Sequence, residues 1–181
     1  MGGIGSSDSG RSITRVGDVI FGADRQVAGW VASRIPDFEA SPSARALGVI
    51  KGDRLVAGVV FERWNGVHIE AAIAAEPGSS WADRKTLRSL FHYPFVTLGC
   101  LAISVSVPAS NLASLNLATK LGFEPEALIK YAAHDGSALV VLKMFRETCK
   151  WIGDHGQKGR QRTDASGPAG NGGSGSTVQP A

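Results

Sequence analysis

The stretch Asn111-Leu112-Ala113-Ser114-Leu115-Asn116-Leu117-Ala118-Thr119-Lys120-Leu121-Gly122-Phe123 decides the reading of the fold. Asn is a favoured helix N-cap, because its short side chain accepts a hydrogen bond from the free N–H groups of the first turn. At the other end Gly122 stands where a helix stops in a left-handed residue, and Lys120 places a cation against the negative end of the helix dipole. A helix over 111–121 is predicted, with Phe123 turning into the core behind it. Lys-Leu-Gly-Phe alone reads as readily as a plain helix stop as it does as part of a site, so its surroundings carry the argument.

Upstream, residues 100–107 form a β-rich run. Before it, Leu87, Leu90 and Phe91 recur at helical spacing in a helix predicted from about Ser80 to His92. A strand over 67–75 precedes that helix and stops at Glu76-Pro77-Gly78. The runs 46–50 and 55–64 are strands joined by the hairpin turn Lys51-Gly52-Asp53-Arg54. Earlier still, Asp24 is positioned to cap a helix whose apolar residues Val27, Trp30, Val31 and Ile35 face one way and which Pro36 ends. Residues 13–21 read as one first strand. Downstream, a strand begins near Glu126, His134-Asp135-Gly136 makes a turn, and residues 138–145 form the last strand. The order β-α-β-β-β-α-β-α-β-β calls for an α/β fold with a mixed sheet of about seven strands, because consecutive hairpins interrupt any pure doubly wound alternation.

The 43% of hydrophobic residues can fill one core, and the 19% of charged residues is an ordinary globular share. Residues 1–12 and 153–181 fall outside that balance, being rich in Gly and Ser with little to bury. They are expected to form a disordered leader and a disordered tail around one domain over 13–152. The net charge is +3, and the tail's Lys158, Arg160 and Arg162 against Asp154 and Asp164 leave +2 elsewhere. Such a mild excess does not of itself call for nucleic acid. Cys100 and Cys149 match no metal spacing and suit a reduced compartment. No apolar run approaches the roughly 20 residues of a membrane helix, and no secretory pattern opens the chain, so a cytoplasmic protein is expected.

The Asn111–Phe123 stretch, with Glu126 and the Asp135-Gly136 hairpin behind it, resembles the C-terminal half of enzymes of the GNAT acyltransferase superfamily. The element order resembles theirs over residues 13–152. Within the superfamily Asn111, Ser114 and Leu121-Gly122-Phe123 look most like enzymes that acetylate protein N-termini and like small acetyltransferases encoded by bacteriophages. The resemblance implies a GNAT fold with helices on both faces of the sheet. It also implies acetyl-CoA as co-substrate, an amine acceptor, and a monomer or homodimer.

The resemblance further implies that the two central strands, 67–75 and 100–107, splay apart, and that the pantetheine arm lies in the opening against backbone. Ile73, Ala74 and Ala75 are the expected partners of that arm. The pyrophosphate is expected at the start of the following helix, where free N–H groups and the dipole favour an anion. Trp81, Ala82, Arg84 and Lys85 stand there, although the family's spaced glycines do not. Cations in a first helical turn oppose the dipole, and Arg84 repels Arg88 at i, i+4, which a bound anion would relieve; a solvated basic face beside Asp83 is the alternative.

For the base that takes the amine proton the candidate is Glu70, with His68 behind it on the same strand face. Ser114 inherits a contact to the cofactor, and Asn111 either contacts it or caps the helix. Many GNAT enzymes carry a Tyr seven residues after the Asn to reprotonate the thiolate; here Ala118 stands in that place. Trp64, Trp81, His92 and Tyr93 are candidates for an acceptor pocket. No metal is expected. The expected activity is N-acyl transfer from acetyl-CoA to an amine. The alternatives are a phage-type protein that modifies nucleobases, which would show a basic rim around its cleft, and a domain that binds acyl-CoA or a protein partner without turnover.

Overall fold

In a computed structural model the described part of the chain runs from Ser12 to Gly153. The expected leader and tail lie outside the described residues, apart from Ser12 and Gly153 themselves. Eight strands form one sheet, in the order β1-β2-β3-β4-β5-β6-β8-β7. They are β1 (Thr14–Val16), β2 (Val19–Phe21), β3 (Arg45–Lys51), β4 (Arg54–Glu62), β5 (His68–Ala75), β6 (Ala102–Pro108), β7 (Glu124–Ile129) and β8 (Leu139–Phe145). The helices are α1 (Asp24–Ala32), α2 (Arg84–His92) and α3 (Leu112–Leu121), and a π-type turn, Tyr93–Thr97, prolongs α2. All neighbours are antiparallel except β5 and β6, which run parallel. The α/β mixed sheet expected from the element order is therefore present, with eight strands.

The additional strand comes from the first run, which folds back on itself. Gly17 takes φ +60°, and Val16 and Val19 face each other across the resulting hairpin. Asp24 does not cap α1. It is the first helical residue, and its carboxylate instead accepts the Ala46 N–H at 2.7 Å and lies 3.7 Å from Arg45, tying α1 to β3. The helix stops at Ala32, well before Pro36.

The sheet is covered on both faces. On one, Val27 and Val31 of α1 pack against Ala46, Val60 and Ala74. Gly48 and Gly58, partners across β3 and β4, permit this close approach: a Cβ at Gly58 would sit 2.7 Å from a Val31 methyl, and one at Gly48 2.9 Å from a Val27 methyl. On the other face α2 and α3 close over the larger core through Leu87, Leu90, Phe91, Ala118 and Leu121, with Phe123, Ile103, Leu142 and Met144 beneath them. Trp151 donates its indole N–H to the Leu121 carbonyl at 2.6 Å and seals the end of α3.

The decisive segment folds as its residues dictate. Asn111 caps α3 by accepting the Ser114 N–H at 3.0 Å. Gly122 closes the helix at φ +105°, its N–H bonded to the Ala118 and Thr119 carbonyls, a conformation a side chain would resist.

Candidate active site

Strands β5 and β6 part company halfway along. They pair only through His68–Ala102, Ile69–Ile103 and Glu70–Ser104. Beyond that point β5 keeps its ladder with β4 as far as Ala75, and β6 keeps its ladder with β8 as far as Pro108, but no ladder among the described residues joins the two. A cleft of about 720 Å³ opens between them. Its walls are β5, β6, the turn 76–79, Trp81 and one side of α3, and the loop after α1 adds Ile35, Pro36 and Phe38.

Backbone accounting shows what the cleft offers. Glu76 donates its N–H to the Val56 carbonyl, and the His68 carbonyl accepts from Asn65, so even-numbered residues of β5 turn their backbone toward β4. Odd-numbered residues therefore face β6, and past Glu70 the N–H and C=O of Ile73 and the N–H of Ala75 have no strand to meet. Exposed, oriented backbone groups of this kind are what an extended amide-bearing ligand can bond as an added strand. Ala74 also lines the cleft, but its backbone is committed to Gly58 of β4. The expectation that Ala74 offers backbone to a ligand is corrected on that ground.

The helix after β5 departs from expectation more sharply. It begins at Arg84, four residues beyond Ser80, and Asp83 caps it. One carboxylate oxygen of Asp83 accepts the N–H groups of Lys85 (3.0 Å) and Thr86 (2.9 Å); the other accepts the Thr86 hydroxyl at 2.9 Å and the Lys51 ammonium at 3.2 Å. Lys51 also bonds Asp18 at 2.6 Å. Donation by the Thr86 N–H, then by its hydroxyl and by Lys51, holds the Asp83 carboxyl down to about 2, while both carboxylates raise Lys51. The anion site at this helix start is thus filled by the protein's own carboxylate. Ala82, Arg84 and Lys85 are exposed and lie outside the residues lining the cleft, so the structure does not bring them to it.

The remaining candidates divide. Glu70, Ile73, Ala75, Trp81, Asn111 and Ser114 converge on the cleft. His68 stands one step behind it, its Nε2 2.9 Å from the Ser104 hydroxyl. Trp81 is buried in the wall, whereas Trp64 is exposed just past the end of β4, His92 is exposed on α2, and Tyr93 packs on Phe61 with ring centroids 5.3 Å apart. Those three do not line the cleft.

Residues not singled out from sequence complete the site. Arg63, in a left-handed conformation at φ +50°, pairs with Glu70. Glu62 faces Glu70 across the β4–β5 ladder and accepts the Ser41 N–H at 2.6 Å. Arg34 stacks 3.6 Å over Trp30 and pairs with Glu76 at 3.3 Å. Ser104 and Ser106 come from β6. The lining therefore carries three carboxylates, Glu62, Glu70 and Glu76, against two cations, Arg34 and Arg63, so the basic rim required by the nucleobase alternative is not what surrounds this cleft. Among the described residues no cluster of His, Cys, Asp or Glu could hold a metal, and no helix is long and apolar enough to cross a membrane.

No family model matches the chain, and no curated protein matches it. Solved structures do. A chimera of the spermidine N-acetyltransferase SpeG from Vibrio cholerae and hSSAT superposes with a TM-score of 0.57 at 15% identity, over 69% of this chain and 92% of that one. An acetyltransferase of the GNAT family from Bacillus anthracis gives 0.54 at 14% identity, over 75% of this chain and 99% of that one. A mutant form of spermidine/spermine N-acetyltransferase SpeG from Vibrio cholerae gives 0.51 at 18%, over 67% and 76%. The fold is that of GNAT acetyltransferases.

Proposed function

We propose that this protein is an acyl-CoA-dependent N-acyltransferase that moves an acetyl group from acetyl-CoA to an amine. The observation that carries the reading is the unzipped half of the β5–β6 pair. A parallel pair in the interior of a sheet forfeits several hydrogen bonds by parting, and that cost is recovered when a ligand with its own amide groups lies between the strands. The pantetheine arm of coenzyme A has two such amides. Bonding to Ile73 and Ala75 runs the arm down the gap and brings its thioester toward the point where the strands close, beside Glu70. Trp81, Ser114 and Asn111 wall the gap on the α3 side.

At the closed end Glu70 takes the proton that the attacking amine must lose, and Arg63 steers its carboxylate. Direct attack forms the new C–N bond as the C–S bond breaks, with no covalent enzyme intermediate. The excess of carboxylates around the cleft suits an acceptor that carries positive charge, and structural neighbours named for spermidine acetylation make polyamines the first acceptors to try. A second reading, binding without turnover, is favoured by Ala118, which stands where many GNAT enzymes carry the Tyr that reprotonates the thiolate.

Calorimetric titration with acetyl-CoA, followed by thiol release with spermidine, simple alkylamines, a peptide with a free N-terminus and DNA, separates the two. The proposed activity gives saturable binding and amine-dependent thiol release. Binding with no release for any acceptor would leave only the second reading, and absence of binding would remove both.

A further inference from the structure

We infer that Ser104 and His68 form the proton-return path of this site, a role that rests on the acyl-transfer reading. Two residues are buried and polar among the described residues, Thr86 and Ser104. Thr86 is accounted for by the Asp83 cap. Ser104 is 6% exposed, lines the cleft, and stands at the last rung where β5 and β6 still pair, directly opposite Glu70. Partners on neighbouring strands lie about 5 Å apart with side chains on one face. The carboxylate that removes a proton and the hydroxyl that supplies one thus sit side by side at the vertex of the gap.

A serine hydroxyl is too weak an acid to act unaided, and here it is backed. His68 Nε2 lies 2.9 Å from Ser104 Oγ, and His68 is half-buried, so water reaches it. The charged groups on this face are Glu62 and Arg63 from the β4 end, Glu70 on the same strand, and Lys143, opposite Ser104 on β8 and paired with Glu126. Ser79, Ser106 and Ser114 also line the cleft, but of these serines Ser104 is the one that stands opposite Glu70 with an imidazole against its hydroxyl. When the C–S bond breaks, the thiolate takes the Ser104 hydroxyl proton; the serine oxygen takes the Nε2 proton of His68; and water restores the imidazole. The amine proton leaves through Glu70, so protons balance over the turnover.

The test compares the parent with Ser104→Ala, His68→Gln, the double variant and Ser104→Thr, using acetyl-CoA and whichever acceptor in the panel above releases thiol fastest. Turnover by the parent establishes the acyl-transfer reading independently of the relay. Ser104→Ala and His68→Gln should each lower kcat about a hundredfold, within the span of general acid–base effects, with KM for acetyl-CoA within twofold. The double variant should be no slower than the worse single one, since the two act in series. Ser104→Thr, which keeps the hydroxyl, should restore kcat to within about threefold. A Ser104→Ala enzyme with parental kcat, or losses in the two single variants that multiply in the double, would overturn the relay while leaving the transferase intact.

Discussion

The open side of β5 and the start of α2 each carry backbone N–H groups that no β-ladder or helical bond takes up, and the fold treats the two in opposite ways. On β5 the groups of Ile73 and Ala75 are left without a strand partner beside a cleft of about 720 Å³. At α2 the corresponding groups of Lys85 and Thr86 are consumed by Asp83, which Lys51 anchors in turn. A helix start is a ready anion site only while its donors are free. A parted strand pair is the less obvious feature in sequence and the more informative one in structure, because no strand among the described residues satisfies it.

That contrast can be broken or sharpened by substitution. The largest effect is expected at the vertex: Glu70→Gln should lower amine-dependent thiol release by about a hundredfold or more, as loss of a general base does, with calorimetric affinity for acetyl-CoA preserved. Next, Ile73→Pro removes one N–H from the open side of β5 without touching the β4 ladder. It should weaken acetyl-CoA binding by about tenfold, the worth of one well-made hydrogen bond, while thermal unfolding shows whether the fold survives.

Asp83→Ala should cost about 1 kcal/mol of stability through the lost cap, read by urea unfolding, and should not weaken acetyl-CoA binding. The same residue sets an acid limit. Its carboxyl is held at about 2 in the fold against an ordinary 3.8, so the folded state binds fewer protons than the unfolded one. Its contribution is complete above the ordinary value and is lost as pH falls toward 2. The Asp83→Ala protein should accordingly lose less stability between pH 5 and pH 2 than the parent. The smallest effect is expected from reversing Arg84 and Lys85 to Glu, which should change acetyl-CoA affinity by less than about threefold, since exposed charges away from the cleft act through screened solvent. A tenfold loss there would return the phosphates to the start of α2.

The legible parts of the sequence were those with local causes. Asn111 and Gly122 bound α3 because capping is decided within four residues, and Lys51-Gly52-Asp53-Arg54 turned the chain where it was read to turn. The errors arose where two local signals competed or where a partner was distant. The helix was read to start near Ser80, but Asp83, also of a residue type that caps helices, prevailed because Thr86 and Lys51 complete its bonds. Residues 13–21 alternated like one strand, and only Gly17 marked the hairpin. Asp24 was drawn from a capping role into a bond with Ala46, 22 residues away. Ser104 gave no sequence signal at all. Its importance lies in standing opposite Glu70 and within reach of His68, a register set by β5–β6 pairing across more than 30 residues.

Backbone amide shifts and hydrogen exchange during titration with acetyl-CoA read both sets of N–H groups in one experiment. Ile73 and Ala75 should shift and become protected on binding, with Lys85 and Thr86 unchanged. Saturable perturbation of Lys85 and Thr86 with Ile73 and Ala75 unmoved would contradict it.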